Sequence, residues 1–334
     1  MFIIFLQVTD YRPNAIESLT IYGKGKVLPS TKKEFSFLTW NIGYGGLGRE
    51  LDFFYDGGKQ VMPDEANFRK YMKGIIKNIS AHDTTDFIFI QEVDTLAKRT
   101  YFMNEVTEIT RALPGNCYMF AKNYDCRFVP VPVKKPMGRV VSGLMTISPF
   151  QPVEAERHRF ESQFSWPKSL VILKRCFLVT RYALENGKEL VIINTHNSAF
   201  DEGGVLRKKE LAMLHEYILK EYCKGNYIVT GGDWNSNPRG FNPTLIRTGD
   251  PAYRVEPSID ENFLPGWEFV FDAIRPSNRN VDMPYAKGKT KTTIIDFFVV
   301  SPNIEVKSVK TLVDDFENSD HHPVLMQISL KKES

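Results

Sequence analysis

Cysteine is scarce in this chain, and its spacing excludes the common cysteine-based sites. The four cysteines stand at positions 117, 126, 176 and 223. They form no CxxC pair and no cysteine–histidine zinc spacing. We expect Cys176 and Cys223, which lie in apolar surroundings, to be small core residues. Cys117 and Cys126 could pair if the protein is exported, and the sequence leaves this open.

Long apolar runs are also missing. The N-terminal run FIIFL turns polar at Gln7, far short of the ~20 residues that a membrane span needs. It lacks the basic region that begins a signal peptide. We interpret residues 1–34 as an N-terminal lead-in that would fit the remnant of a signal or anchor. The expected location therefore stays open between cytoplasmic and exported or membrane-anchored.

The chain has no strong charge of either sign. Its formal net charge is +3 over 334 residues, with 25% charged and 42% hydrophobic residues. Strongly basic domains indicate nucleic acid, and this one is only mildly basic. The composition is that of an ordinary globular protein and is compatible with any anionic substrate.

No repeat or low-complexity tract divides the chain, so we predict one folded domain over residues 35–332. The Asn186-Gly187 pair is a strong hairpin signal. Two groups of strands separated by helices predict an α+β fold of two stacked sheets with helices outside. Apolar periodicity predicts helices over residues 65–80, 102–113 and 205–223, and strands over 35–40, 86–91, 170–184, 189–195, 227–231, 269–274, 292–300 and 324–330.

Polar residues stand where several of these apolar strands end. Singly, each has a structural interpretation: a turn residue, a surface acid at a strand end, or a hydrogen-bonding histidine. Because unpaired carboxylates are costly to bury, acids in such positions indicate a partner or a metal ion. The candidates are Asn41 after FSFLTW, Glu92 after FIFIQ, His196 after VIINT, Asp233 and Asn235 in GGDWN, Asp296 in TIIDFFVV, and Asp320 and His321 in SDHHPV.

The GGDWN and SDHHPV segments indicate particular chemistry. In an extended chain, Asp233 and Asn235 would point to the same face and converge on one ligand. Such oxygen donors suit magnesium, which binds few carboxylates and keeps several waters. An acid beside a histidine orients the ring and makes it more basic, which suits proton removal from water.

Together and in this order, the segments resemble the endonuclease/exonuclease/phosphatase superfamily. This superfamily includes pancreatic-type DNases, exonuclease III-type repair nucleases, inositol polyphosphate 5-phosphatases and bacterial sphingomyelinases. The resemblance runs from about Phe35 to about Leu330. It is strongest at Gln91-Glu92-Val93, at Gly232-Asp233-Trp234-Asn235, and at Ser319-Asp320-His321-His322-Pro323-Val324.

The resemblance implies a DNase I-like fold, a four-layer α/β/β/α sandwich of two mainly antiparallel sheets. It also implies a Mg²⁺-dependent phosphoesterase, with Mn²⁺ as an alternative ion. Asn41, Glu92 and Asp320 then belong to the metal shell, and Glu92 binds the ion directly.

The same resemblance implies roles for the remaining candidates. Asp233 would orient or deprotonate the attacking water, and Asn235 would hold the phosphate or the water. His321 would be the general base or bind phosphate, with Asp296 as its orienting carboxylate. Whether Asp233 or His321 is the base stays open. His196 matches a Thr-His position found in DNases, phosphatases and sphingomyelinases.

One departure bears on the substrate. Exonuclease III-type nucleases often carry an acid two residues after the first Asn, where this chain has Gly43. This disfavours an abasic-site nuclease, and residues 49–64 are expected to form part of the entrance. We expect a monomer acting on nucleic acid, a phospholipid or an inositol phosphate. The alternative is a binding module that keeps the fold without the chemistry.

Overall fold

A computed structural model describes residues 1–162, 164–246, 254 and 256–331. Its helices are α1 Phe2–Val8, α2 Glu65–Ala81, α3 Glu105–Arg111 and α4 Val205–Tyr222. Its strands are β1 Ile16–Ser18, β2 Glu34–Asn41, β3 Phe87–Asp94, β4 Cys117–Val129, β5 Gly138–Ser148, β6 Glu154–Arg159, β7 Cys176–Ala183, β8 Glu189–His196, β9 Tyr227–Asp233, β10 Glu268–Val270, β11 Asn278–Arg279, β12 Thr292–Thr293, β13 Asp296–Val300, β14 Ile304–Thr311 and β15 Val324–Leu330.

The strands form two large sheets. One has the order β1-β6-β7-β8-β9-β13-β10, and the other has the order β14-β15-β2-β3-β5-β4. Only β2 with β3 and β8 with β9 run parallel in these sheets as described; the other pairs are antiparallel. β11 and β12 form a separate pair. The predicted pair of mainly antiparallel sheets is confirmed.

Alternation along the central strands builds the core between the sheets. Phe35 and Phe37 of β2 pack against the other sheet, where they share a buried cluster with Phe298. Leu38 and Trp40 point to the opposite face and pack toward α2. This period of two is expected for strands buried on both faces.

Helices cover both outer faces. Phe68, Met72, Ile75 and Ile79 line one side of α2 and are buried against β2 and β3. Their spacing is that of one helix face, and Asp64 caps the helix by accepting from the Asn67 amide. α4 packs on the other sheet in the same way. The four-layer α/β/β/α sandwich is therefore confirmed.

Several element predictions need correction. The second helix begins at Glu105, and Phe102 lies outside it with a left-handed backbone and an exposed ring. The strand predicted from residue 170 begins only at Cys176. The run 292–300 is split: its first part pairs with β11, and β13 begins at Asp296. β14, an edge strand with many exposed polar side chains, was not predicted.

The cysteines also differ from expectation in one case. Cys176 is buried as predicted, but Cys223 is exposed just after α4. Cys117 and Cys126 are buried free thiols. The Cys117 thiol donates to the Ser148 and Phe150 carbonyls, and the Cys126 thiol lies 3.9 Å from the Leu170 carbonyl.

The lead-in contacts the sandwich. β1 pairs with β6, and an isolated bridge joins Tyr22 to Tyr118. The boundary at residue 35 stays a prediction, and the predicted end at residue 332 lies outside the described residues. Among the described helices, none has the length and apolar character of a membrane span.

Candidate functional site

Three neighbouring strands of one sheet bring candidate residues to the same edge. His196, the last residue of β8, is the register partner of Asp233, the last residue of β9. Asp296, the first residue of β13, is the partner of Asp233 on its other side. All three side chains are buried. Strand register alone therefore places a histidine and two carboxylates side by side.

The other sheet supplies Asn41 and Glu92 at the facing edge. A register shift between Ile90 and Val93 marks a bulge in β3, and Glu92 there has a φ of 56°. Bulges commonly re-aim a side chain beside a site. The Asn41 amide spans the sheets by donating to Asp233 Oδ2 at 2.9 Å and, more weakly, to Glu92 Oε1 at 3.4 Å.

The GGDWN segment reaches the site differently from the expected extended chain. Trp234 stacks on Phe297, with ring centroids 5.0 Å apart. Asn235 has a φ of 46°, so the chain has already turned. Its backbone amide donates to Asp233 Oδ1 at 2.9 Å, and its Nδ2 donates to the Asn197 carbonyl at 3.0 Å. Both side chains line one cavity, but through a turn and not through strand alternation.

Glycine is required just before Asp233. Gly232 has a φ of 144°, and a Cβ there would lie 1.9 Å from the Thr195 carbonyl oxygen. Only a residue without a side chain allows β8 and β9 to approach this closely. This contact keeps His196 and Asp233 in register.

His321 is held by Asp296. Its Nδ1 lies 2.8 Å from Asp296 Oδ2, and that oxygen also accepts from Ser277 Oγ at 2.7 Å. His321 Nε2 lies 3.9 Å from both Asp233 Oδ2 and Asp320 Oδ2. Burial by itself lowers the pKa of His321, but the surrounding carboxylates, Asp296 foremost, outweigh it and raise the pKa to about 10.

Asn278 is a site residue that the sequence analysis missed. Its Nδ2 lies 2.9 Å from His321 Nε2, while its Oδ1 accepts from Arg254 at 2.6 Å. This amide orientation favours a neutral His321 with its proton on Nδ1, against the effect of the carboxylates. Since three carboxylates surround the ring, the raised pKa is the stronger tendency. No motif in the sequence marks Asn278.

His196 and Asp233 show opposite shifts. Burial, with Arg175 and His321 nearby, lowers the pKa of His196 well below its usual value. Burial raises the pKa of Asp233 to about 6, with Asp296 adding to the rise and His321 opposing it. The His196 Nε2 atom lies 3.4 Å from Asp233 Oδ2. At neutral pH the arrangement therefore combines a neutral histidine with an ionised aspartate.

Asp320 lies in the segment before β15. Burial raises the pKa of its carboxyl group, with His321 and Arg279 opposing. A Cβ on Gly43 would lie 2.9 Å from Asp320 Oδ1, so the glycine leaves room for this acid. The following His322 faces away: its Nδ1 lies 2.8 Å from the Pro276 carbonyl, and its ring stacks on Phe316.

The oxygen donors fit a divalent metal ion. The Glu92 side chain is a quarter exposed, at 24%, and among the described residues its carboxylate accepts only the long hydrogen bond from Asn41. Asp320 is similarly weakly paired. Carboxylates left under-neutralised in a buried site are what a hard cation binds. Asp233, Asp296 and His321 form a further group that could hold a metal ion.

Glu92, Asp233, Asp320 and His321 line one cavity of about 270 Å³, whereas Asn41 and Asp296 lie behind its lining residues. Predicted entrance residues line it, including Phe53, Tyr55 and Asp56. Apolar and aromatic side chains also line the cavity and form an apolar wall, of which only Phe53 and Tyr55 belong to the predicted entrance segment. The wall consists of Phe53, Tyr55, Tyr124, Met137, Phe164, Val171, Ile172, Leu173 and Phe200.

Arg175 is a second missed residue. It lines the cavity, and its buried Nη1 has no hydrogen-bond partner among the described residues. Burial lowers its pKa, with Glu210, Glu92 and Asp233 opposing. A buried guanidinium edge facing a cavity suits a phosphate oxygen. In the sequence, Arg175 stands beside Lys174 and belongs to none of the segments that carry the family resemblance.

Similar structures are numerous, all at low identity. An endonuclease/exonuclease/phosphatase from Beutenbergia cavernae DSM 12333 has a TM-score of 0.60 at 16% identity, covering 90% of this chain and 72% of that one. ANGEL2, a 2',3'-cyclic phosphatase solved with adenosine-2',3'-vanadate, has a TM-score of 0.58 at 16% identity, covering 95% and 99%. D. rerio TDP2, solved with single-stranded DNA product, has a TM-score of 0.56 at 14% identity, covering 89% and 100%.

These likenesses show the fold and, at such identities, nothing finer. No curated protein sequence matches the chain significantly. The sequence profile of the Endonuclease/Exonuclease/phosphatase family, however, matches residues 38–321, most of the chain. Members of that family are typically phosphoester hydrolases and generally depend on a divalent metal ion. The resemblance found in the sequence is confirmed, and the chain belongs to the Endonuclease/Exonuclease/phosphatase family.

Proposed function

We propose that this protein is a Mg²⁺-dependent phosphoesterase that hydrolyses a phosphodiester, or a phosphomonoester, by attack of water. The observation that carries the proposal is the convergence of Glu92, Asp233 and His321, from strand ends in both sheets and the segment before β15, on one cavity. A fold kept only for binding has no need of this set.

Glu92 and Asp320 are the proposed metal ligands, supported by Asn41. The Asn41 amide already contacts Asp233 and Glu92, so it also fixes their orientation. A bound Mg²⁺ would polarise phosphoryl oxygens and stabilise the leaving oxygen. Mn²⁺ prefers similar oxygen ligands and should substitute.

Asp233 is the proposed base. With a pKa near 6 it is ionised at neutral pH and able to take a proton from water. Asn41 and the Asn235 amide occupy its oxygens in part and fix its direction. Asn235 itself would hold the water or the phosphate.

His321 is the proposed cation and proton donor. A pKa near 10 keeps it protonated at neutral pH, so it suits stabilising phosphate charge better than removing a proton. Asp296 maintains this state by accepting from Nδ1. His196 and Arg175 would complete the binding of phosphate oxygens, the first as a neutral donor and the second as a cation.

The apolar wall supports a substrate with a large apolar or aromatic group next to its phosphate. A nucleoside and a lipid both meet this description. The proposed substrate is therefore a nucleic acid, as for a nuclease, or a phospholipid or inositol phosphate, as for a sphingomyelinase or an inositol phosphatase. A panel of plasmid, single-stranded DNA, RNA, inositol phosphates and sphingomyelin at fixed Mg²⁺ separates them.

The test of the reaction is hydrolysis of bis-p-nitrophenyl phosphate by metal-free protein, with and without added Mg²⁺. Activity should vanish in EDTA and return with Mg²⁺ or Mn²⁺, while Zn²⁺ restores little. Asp233→Asn is the matched inactive control. Full activity in EDTA would refute the proposed metal dependence. A failure to hydrolyse any ester in the panel would favour a binding module.

A further inference from the structure

The first helix presents an unusual surface. Phe2, Ile3, Ile4 and Phe5 of α1 are all exposed, and within this helix only Leu6 is buried. Contiguous exposed apolar side chains of this size mark a surface that contacts another molecule. Nothing in the sandwich requires them, since the core clusters are formed by other residues.

This surface continues toward the cavity. The Phe2 ring lies edge-on to Phe128, with centroids 6.0 Å apart. Phe128 is near the end of β4, and the hairpin tip that follows carries Val133 at 87% exposure. Met137, at the end of the tip, lines the cavity. We call α1 together with residues 127–137 the N-terminal face.

The N-terminal face is positive as well as apolar. Residues 1–9 and 126–139 contain no aspartate or glutamate. Arg127, Lys134 and Lys135 are exposed, and none forms an ion pair with another described residue. The nearby Asp125 is already paired with Lys122 and Arg139. Free cations therefore border an apolar patch that lacks acids.

We infer that the N-terminal face docks on an anionic lipid membrane. An apolar helix face inserts at the boundary between head groups and acyl chains, and flanking lysines bind anionic head groups. A lipid surface can bind both the apolar side chains and the cations of the N-terminal face. A nucleic acid would satisfy the cations but leave Ile3, Ile4 and Val133 in water, since strand-binding grooves use stacked aromatic rings.

Docking in this way brings the membrane to the hairpin that ends at Met137, a buried residue that lines the cavity. The inference stands on exposure and charge, so it holds whether or not the cavity hydrolyses a phosphate ester.

The test is co-sedimentation of the full chain with vesicles of phosphatidylcholine, with and without phosphatidylglycerol. The protein should bind the anionic vesicles and not the neutral ones. Lysines near an anionic surface contribute about fivefold each to binding, so Lys134→Gln with Lys135→Gln should weaken binding roughly 25-fold. Val133→Glu and Ile4→Glu should each weaken it about tenfold or more.

The chain offers a matched control at the far end of β5. Val27 is 86% exposed, and Lys26 bridges Phe150, just beyond Ser148. This end lies ~33 Å along β5 from the hairpin, at about 3.3 Å per residue. Val27→Glu, and Lys24→Gln with Lys26→Gln, should bind vesicles as the unmodified protein does.

Melting temperature and hydrolysis of a small soluble diester should be unchanged in all these variants, which excludes misfolding. No binding to anionic vesicles would overturn the inference, as would equal losses in the control variants. Tighter binding of single-stranded DNA than of vesicles, lost in the same hairpin variants, would assign the face to nucleic acid instead.

Discussion

His196 and His321 are both buried beside the same oxygen of Asp233, yet their environments favour opposite charge states. Their Nε2 atoms lie 3.4 and 3.9 Å from Asp233 Oδ2. His321 has a second carboxylate, Asp296, on its Nδ1. The Nδ1 of His196 is buried with no partner among the described residues. His196 also has Glu92 Oε1 3.7 Å from its Nε2, so the carboxylate hydrogen-bonded to Nδ1 decides which histidine carries charge.

Removing His321, the charged histidine, should have the largest effect on the rate. His321→Ala should lower kcat on the order of 10³-fold, within the range for a positioned proton donor. Asp296→Asn should lower it less. The double variant should be little slower than His321→Ala, because the two residues act as a unit. Single-turnover rates on a soluble diester measure this, and additive losses would contradict the pairing.

The same pair predicts a shift in the pH profile. If protonated His321 is the active form, the rate falls as pH rises through its pKa near 10. Asp296→Asn removes the carboxylate that raises this pKa, so the alkaline limb should move to lower pH. The acidic limb, set by Asp233 near pH 6, should move to lower pH by a smaller amount, because Asp296 also raises the pKa of Asp233. An alkaline limb that does not move would separate Asp296 from His321.

Removing His196, the neutral histidine, should lower the rate by a smaller factor. His196→Ala should lower kcat on the order of 10²-fold, the loss seen when one charge-stabilising donor is removed. Neither limb of the pH profile should disappear, since the lowered pKa keeps His196 neutral throughout. His82→Ala, at the end of α2, is the control histidine variant. A rate unchanged from that control would make His196 structural.

Arg175 adds to the difference in charge state between the two histidines, because its positive charge helps to lower the pKa of His196. Arg175→Ala should raise KM about tenfold, the cost of one hydrogen bond to a charged group. Arg175→Lys keeps the charge and loses the fork, so it should recover part of the loss. Steady-state kinetics on a soluble diester test this, and equal defects in both variants would indicate a packing role.

The smallest effect is on stability. A histidine whose folded pKa is raised stabilises the protein fully below its unfolded pKa of 6.5, and loses that contribution as pH rises toward 10. For metal-free protein, the free energy of unfolding should therefore fall between about pH 6.5 and 10. His321→Gln should flatten this fall, and His196→Gln should not, because its lowered pKa acts only below 6.5. Urea titrations at several pH values measure both.

Much of the fold was predictable because its signals are local. The apolar alternation of β2 and the helical spacing of α2 are written in consecutive residues. β14 was missed because its polar exposed face carries no such pattern. The motif residues were likewise found at strand ends, where buried runs stop.

The rest of the site depends on contacts between segments that are distant in the sequence. Asn278 and Arg175 have no motif, and they face the cavity only because distant segments meet there. The bulge that turns Glu92 and the turn that carries Asn235 have positive φ values in residues other than glycine. Tertiary contacts override local preference at such positions.

The Asn41 side chain links the two sheets, because it donates to Glu92 in its own sheet and to Asp233 in the other. Each sheet alone holds only half of the reactive groups. A slide of one sheet over the other by one residue, about 3.3 Å, would leave every strand intact and separate those halves. Turnover is therefore a readout of how tightly the two sheets are docked, and it should fail before circular dichroism detects any loss of strands.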